Sequence, residues 1–580
     1  MLDTKTANLK LAALRETIRI RGLDAYLVPR SDCFGGEEVR AQDERLAWLT
    51  GFTGSSGLAI IGLEQAALFI DGRYTIQAAQ EVGNKLYTLC DIGAIEPWLK
   101  QNWPFQCKIG YDPHLMMQSA LTNWLKRARL VPCSENLIDL LWKEKPKAVA
   151  SPLWEHPIQW AGISREEKVK QLKTWLLEQK IDALFVAAPD EAAWLLNIRA
   201  GSLTCQDLQN TPISLSRAVI TKEEEIILFS DAPNARDFAR TKPLAALPNW
   251  LASFNGTLAY DPVFTSVSLA SPIKQGLQTS SPLTKMKALK NPSELAGMRK
   301  AQYEDGLIMV RFLSWLDQQP PGTQSEQSAA QTLDTLRREH PDNLGLSFAT
   351  ISAFGANAAL PHYRVTEQSN AVLRDGLYLV DSGGQYRYGT TDITRTRLLG
   401  RPHNLAELKR MYTLVLKGHL ALARQRFPKG TSGQALDSLA RAALWQEGYD
   451  FGHGTGHGVG AVLHVHEGPQ RIAKRMAEAA LEPGMILSNE PGYYRKNAFG
   501  IRIETLLAVI KKPLPQDEYD MLGFEVLTLA PYEHRLIDKT LLGAEECTQV
   551  RRYHAHVYEM LSPGLDAQTR AWLAAACSTL

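Results

Sequence analysis

Asp381 and Asp392, eleven residues apart, are the first side chains whose placement could do chemistry. Asp381 closes the apolar run Leu377-Tyr378-Leu379-Val380 and is expected at the end of a buried strand. Asp392 lies in Gly389-Thr390-Thr391-Asp392-Ile393-Thr394, and Gly383, Gly384 and Gly389 suit a hairpin that sets the two strands side by side. Carboxylates on adjacent buried strands repel each other unless a cation lies between them. Taken alone, the pair is also compatible with one Asp capping a turn and the other in solvent.

Downstream, Gly452-His453-Gly454-Thr455-Gly456-His457-Gly458-Val459-Gly460 has Gly at every second position. A helix is disfavoured, because each interior Gly costs about 1 kcal/mol. An extended run would put His453 and His457 on one face and let another backbone approach closely on the other. A phosphate loop is excluded, since no Lys follows and the GxGxxG spacing fails. His466 follows in His464-Val465-His466-Glu467-Gly468-Pro469; Gln470 stands where a HExxH zinc helix would need its second His. Glu490 is expected at the tip of the strand Met485-Ile486-Leu487-Ser488-Asn489, and Glu504 on the next strand beside Arg502. Together these segments offer two Asp, one His and two Glu next to glycines. Carboxylate oxygen with one imidazole and no thiolate suits a pair of divalent ions such as Mn²⁺, Co²⁺ or Fe²⁺. Bridging carboxylates would hold such ions about 3.5–4 Å apart, where a shared water ionises near neutral pH.

These residues occupy the last half of a 580-residue chain, too long for one core and suggesting about three to five domains. Hydrophobic residues make up 45% and charged residues 22%, and the formal net charge of +2 gives no reason to expect nucleic acid or a membrane surface as partner. The charged N-terminus, Met1 to Lys5, does not read as a signal peptide, and the longest uncharged run, Asn343 to Tyr363, is too rich in Gly, Asn, Ser and Pro to span a membrane. The seven scattered cysteines (Cys33, Cys90, Cys107, Cys133, Cys205, Cys547 and Cys577) read as reduced thiols of a cytoplasmic protein.

The first half repeats itself. Leu23-Asp24-Ala25 matches Ile181-Asp182-Ala183, 158 residues further on, after a similar amphipathic helix. Ala47-Trp48-Leu49 answers Ala193-Trp194-Leu195, and Leu68-Phe69-Ile70-Asp71 answers Leu228-Phe229-Ser230-Asp231. Two copies suggest duplicated α/β domains and not a solenoid. Pro-containing stretches at Pro146–Pro157 and Pro272–Pro292 are expected as linkers. Ser293-Glu294, followed by Leu295, Met298 and Ala301, opens a third domain with helices first and short strands after, an α+β pattern.

The five segments resemble the pita-bread metallopeptidases, and most closely the three-domain Xaa-Pro aminopeptidases (aminopeptidase P). Phe354-Gly355-Ala356-Asn357 with Pro361-His362-Tyr363 looks like that family's first histidine segment, and Phe52-Thr53-Gly54-Ser55-Ser56-Gly57 and Asp71-Gly72-Arg73-Tyr74 also resemble it. The resemblance implies two duplicated creatinase-like α/β domains, 1–150 and 151–285, followed by a pita-bread catalytic domain, 286–580. It implies that Asp381 binds one metal, that His457 and Glu490 bind the other, and that Asp392 and Glu504 bridge both, with Mn²⁺ the expected ion. Glu490 would also be the general base; His362, His453 and His466 would contact substrate, and Arg502 would orient the acidic ligands. His464 is expected to face away. The implied activity is release of the first residue from peptides with proline second, by a homodimer in the cytoplasm. Prolidase and methionine aminopeptidase share the ligand set but have shorter N-terminal parts. Creatinase shares the fold without this metal set, and non-catalytic pita-bread modules typically lose the ligands. Tyr388 and Ser488-Asn489 depart from the family pattern at positions that are not ligands. Tyr388 is read as a tolerated turn residue, whose replacement by Asp should change catalytic efficiency only a few-fold.

Overall fold

In the computed structural model, which describes residues 4–82, 86–103, 107–201, 206–475 and 477–578, the chain divides into two compact units. Met1–Asp3 and Cys205 fall outside the described residues. The other six cysteines are free thiols, and among the described residues no helix is long and apolar enough to cross a membrane.

Unit 1 comprises Met1–Glu155, Ser164–Gln209 and Ile213–Leu283. It holds two six-stranded sheets built to one plan. The strands of the first are β1 (Ala25–Pro29), β2 (Leu58–Gly62), β3 (Ala66–Ile70), β4 (Thr88–Asp91), β5 (Lys108–Tyr111) and β6 (Arg129–Pro132), in the order β4-β3-β2-β1-β5-β6. The second contains β7 (Ala183–Val186), β8 (Arg217–Thr221), β9 (Ile226–Phe229), β10 (Arg240–Lys242), β11 (Leu258–Tyr260) and β12 (Gly276–Gln278), ordered β10-β9-β8-β7-β11-β12. In both sheets the first strand is antiparallel to the next strand of the sheet and parallel to its other neighbour. The repeated Asp explains one shared landmark: Asp24 accepts from Lys108 N at 2.7 Å, and Asp182 accepts from Thr257 N at 2.8 Å. Each carboxylate thus fastens the start of a central strand to its parallel neighbour. Along β1 the side chains alternate: Tyr26 and Val28 join Leu11, Leu14 and Ile18 of the helix Thr4–Ile20, while Ala25 and Leu27 face Trp98 and Trp124.

Unit 2 comprises His156–Ile163, Asn210–Pro212 and Thr284–Leu580. The stretch expected as the second linker is partly ordered: it contains β12 and a helix, Pro282–Ala288. Next comes α1 (Pro292–Asp317), capped by Asn291 and not Ser293. The Asn291 side chain accepts from Ser293 N and Glu294 N, while Glu294 reaches back to Asn291 N. A second helix, α2 (Glu326–Arg338), precedes the strands.

Those strands are β13 (Asn343–Leu346), β14 (Ile351–Phe354), β15 (Gly376–Ser382), β16 (Gly384–Tyr386), β17 (Gly389–Thr390) and β18 (Ile393–Leu399). β15 lies between β14 and β18, antiparallel to both. The other large sheet contains β19 (Arg426–Pro428), β20 (Gly456–Gly458), β21 (Glu467–Ile472), β22 (Ile486–Asn489), β25 (Thr505–Lys511) and β26 (Met521–Val526). Between β22 and β25 run the paired strands β23 (Gly492–Arg495) and β24 (Phe499–Arg502). Helices α3 (Leu405–Ala423) and α4 (Gly433–Trp445) pack beside them.

Candidate metal centre

Strand register brings the acids together. Asp381 pairs with Thr394 and Ser382 with Ile393, so Asp392 follows directly at the start of β18. In the other sheet Asn489 pairs with Thr505, which leaves Glu490 and Glu504 at the adjoining ends. Glu504 is not within a strand, as its sequence context suggests, but in the two-residue join of β24 to β25. Thr394 ties the two sheets: its hydroxyl donates to Glu504 Oε2 at 2.7 Å, and its carbonyl accepts from Glu504 N at 3.2 Å. The fully buried Arg395 adds a guanidinium bond to the Glu504 carbonyl at 2.6 Å.

The glycine-rich run is extended only at Gly456–Gly458, so the regular alternation expected from 452 to 460 does not form. Its glycines still permit close approach. A Cβ at Gly456 would collide with the Ser488 carbonyl, and one at Gly458 with Gln470 and the Glu467 carbonyl. His457 consequently lies against β22. Its N–H donates to Ser488 Oγ at 2.9 Å, and its Nδ1 meets the Gly458 carbonyl at 2.9 Å and so carries the proton. Nε2 then lies 3.5 Å from Asp392 Oδ2 and 3.6 Å from Glu490 Oε1.

Ligand atoms of Asp392, His457 and Glu504 come within 4.8 Å of one another. The site suits cations on three further grounds. Asp381 Oδ1 is buried without a hydrogen-bond donor. Burial, then the charge of Asp381, holds the Asp392 carboxyl well above the usual range; burial, then Asp392 and Asp381, does the same to Glu504. Burial pushes Glu490 up to about 7 against the pull of His457 and Arg502. Buried acids this close need protons or cations, and one imidazole with oxygen donors favours divalent ions of hard-to-borderline character.

Arg502 organises the acidic end. It donates to Asp381 Oδ2 at 2.5 Å, Thr394 Oγ1 at 3.1 Å, Tyr494 OH at 2.7 Å and the Pro361 carbonyl at 3.2 Å. Burial works against its charge, but Tyr494, Asp381 and Glu490 keep it cationic. Tyr494 OH also meets His453 Nε2 at 2.8 Å, linking that imidazole through Arg502 to Asp381. His466 is exposed and stands edge-on to His457, ring centroids 4.3 Å apart. Buried Glu467 pairs with Lys290 and, at 3.0 Å, with Lys287. His362 follows Pro361, and its segment packs on β24, where a Cβ at Gly500 would strike the Ala358 carbonyl. His464 lies in irregular chain and not on a strand, with Nδ1 3.5 Å from Thr211 Oγ1. Thr394, Arg395 and Tyr494 were inside or beside the motifs, yet nothing in their local pattern announced these contacts.

Two departures acquire structural content. Ser488 Oγ serves His457 N and lies 3.4 Å from Glu490 Oε1, while Asn489 donates to the His419 carbonyl at 2.9 Å. Tyr388 corrects the expectation of a tolerant turn. It does occupy the β16–β17 turn, but is only 2% exposed, tilted against Trp160 at 5.2 Å and stacked on Tyr386 at 6.0 Å. Lys300 Nζ sits 4.1 Å from its ring centre, and its carbonyl abuts Gly297 of α1. Tyr388→Asp therefore exchanges a packed ring for a small buried carboxylate. We expect a stability loss of about 3–5 kcal/mol, by cavity formation and desolvation, instead of a few-fold kinetic change. Thermal and chemical denaturation check this; an unchanged midpoint would refute it.

Comparison with known proteins agrees with this architecture. Residues 296–511 match the metallopeptidase family M24 and residues 520–580 its C-terminal region, while 10–141 and 144–294 match creatinase/prolidase N-terminal domains. A probable Xaa-Pro aminopeptidase P of Laccaria bicolor is 38% identical over 98% of this chain and 93% of its own length. The X-prolyl aminopeptidase of Caenorhabditis elegans, described as a cytosolic enzyme with a di-nuclear active site, superposes with a TM-score of 0.94. It is 32% identical, covering 99% of this chain and 100% of that one. A prolidase of Thermococcus sibiricus, 21% identical with a TM-score of 0.52, covers 64% of this chain and 98% of its own, a likeness of fold alone. With two creatinase-like N-terminal domains ahead of an M24 domain, and that identity sustained along its whole length, the chain belongs to the aminopeptidase P family of M24 metallopeptidases.

Proposed function

We propose that this protein is a metal-dependent aminopeptidase that hydrolyses the X-Pro bond and releases the N-terminal residue of peptides with proline second. The observation that carries the reading is the meeting of Asp392, His457 and Glu504 ligand atoms within 4.8 Å, with Glu490 3.6 Å from His457 and the charge of Asp381 felt at Asp392, in a chain akin to proteins named for this activity. Asp381 would hold one divalent ion, His457 and Glu490 the other, and Asp392 and Glu504 both. Mn²⁺ is the ion we propose. Such a pair supplies Lewis acidity and lowers the pKa of water.

The remaining chemistry belongs to side chains. Glu490 takes a proton from the attacking water as its oxygen joins the scissile carbonyl carbon. When the C–N bond breaks, the prolyl nitrogen gains a proton, a task that suits His362 or His466, while His453, held by Tyr494, would contact substrate. Arg502 keeps Asp381 oriented. The accompanying plan is three domains, 1–150, 151–285 and 286–580, in a cytoplasmic homodimer.

A metal-loaded peptide panel read by mass spectrometry tests the specificity. X-Pro-Y should lose its first residue, X-Ala-Y should survive, and N-acetylation should block cleavage, since a free amine is required of an exopeptidase substrate. Preference for the dipeptide X-Pro over X-Pro-Y would make the enzyme a prolidase, and efficient cleavage of Met-Ala-Y a methionine aminopeptidase.

A further inference from the structure

Glu326, the first residue of α2, is fully buried, and its carboxylate gathers four donors from one loop. Oε1 accepts from Phe354 N at 2.6 Å and Asn357 Nδ2 at 3.0 Å; Oε2 accepts from Ala371 N at 2.8 Å and Tyr363 OH at 2.7 Å. Its backbone joins in: Glu326 N donates to the Ala371 carbonyl at 2.9 Å, and the Glu326 carbonyl accepts from Ser352 Oγ at 2.6 Å. Every one of these donors is neutral. Buried acids are ordinarily paired with a cation, so a carboxylate that among the described residues is held by neutral donors is an expensive arrangement to keep.

The geometry of the loop gives that expense a use. Phe354 and Ala371 are its two ends, and Asn357 and Tyr363 lie within it, so one side chain closes the loop and pins it in the middle. Asn357 Nδ2 also donates to the Ser369 carbonyl at 2.8 Å, and the same carbonyl lies 2.7 Å from Tyr363 OH, sharing its one proton with Glu326. His362 adjoins Tyr363 on one side, and on the other the Pro361 carbonyl accepts from Arg502, which holds Asp381. We infer that Glu326 is a positioning residue for the hydrolysis, fixing the loop 355–370 so that His362 meets the peptide at the metal centre. This rests on the proposed substrate contact of His362.

A double-mutant cycle tests it. Glu326→Gln keeps the shape but sets an amide NH₂ against backbone donors. In metal-loaded enzyme it should lower kcat/KM for X-Pro-Y about tenfold, with metal content unchanged. Amides of 355–371 should exchange faster with solvent. In the His362→Ala background the same substitution should cost less than about twofold, because its effect acts through a side chain already gone. Tyr363→Phe, which removes one donor without exposing a charge, should give a smaller effect with the same dependence on His362, and serves if Glu326→Gln does not fold. An equal loss in both backgrounds would overturn the positioning role while leaving His362 in place. Full activity in His362→Ala alone would instead overturn the substrate contact, and the inference with it.

Discussion

Glu490→Gln should lower turnover of an X-Pro-Y peptide by roughly 10²–10⁴-fold, the range typical of a lost general base, or by more. Glu490 stands where β22 ends, its backbone N–H donating to the Thr455 carbonyl at 2.8 Å and its Oε1 3.6 Å from His457 Nε2. Gln preserves that backbone bond and the side-chain volume, so folding should be unaffected. What it loses is the negative charge and the ability to accept a proton. Burial pushes the Glu490 carboxyl up to about 7 against the pull of His457 and Arg502, and divalent ions bound beside it would favour the ionised form that accepts a proton. Because Glu490 is also a proposed ligand, metal content must be measured beside kcat. His466→Ala is the comparison: exposed and not among the proposed ligands, it should keep the metal and lose turnover through weaker transition-state contacts. Glu490→Gln with full metal and activity within tenfold of the parent would remove it as base. Loss of metal from His466→Ala would show that its role has been misassigned.

The contrast between these residues and Glu326 marks how far a sequence can be read. Asp381, Asp392, His457, Glu490 and Glu504 were visible because strand ends and glycines leave short-range marks: apolar runs that stop at an acid, and Gly where another backbone must pass. The duplicated sheets were visible for a similar reason, since Asp24 and Asp182 occupy the same turn before the same central strand. The extended form is shorter than the 452–460 alternation suggests, because β20 is set by contacts with β21 and β22 and not by the local pattern. Tyr388 departs from its sequence expectation in the opposite direction. A turn between two short strands is ordinarily exposed, but this one is covered by α1 and by Trp160, which lies 228 residues earlier in the chain. Arg395, Glu326 and Glu467 act through partners distant in sequence, and a charged residue destined for burial carries no local sign of its partners.

Chelation should abolish turnover, lower the midpoint of unfolding and leave far-UV secondary structure largely in place, with added Mn²⁺ restoring both activity and midpoint. Four carboxylates, Asp381, Asp392, Glu490 and Glu504, share the site, and of the nearby cations Arg502 makes its carboxylate contact with Asp381. Two like charges 4 Å apart repel by about 4 kcal/mol at an effective dielectric constant of 20, so without divalent ions the cluster either spreads or takes up protons. Spreading would part Glu490 from His457, and protonation would remove the charge with which Glu490 binds an ion and accepts a proton. Binding to the folded state alone adds about 2.7 kcal/mol at a hundredfold excess over Kd, and this sets the scale of the recovery expected with metal. The secondary structure should survive because most of it does not rest on the ions. The sheets of unit 1 have apolar cores of their own, and in unit 2 α1 packs Met309, Phe312 and Leu313 into a core with Tyr378 and Val380 of β15. Even at the site, Arg395 and Thr394 hold the backbone of Glu504 through hydrogen bonds that need no metal. Undiminished turnover in enzyme stripped to far below one ion per chain would rule out the two-metal reading. Collapse of the far-UV signal would instead show that the ions hold up the fold as well as the chemistry.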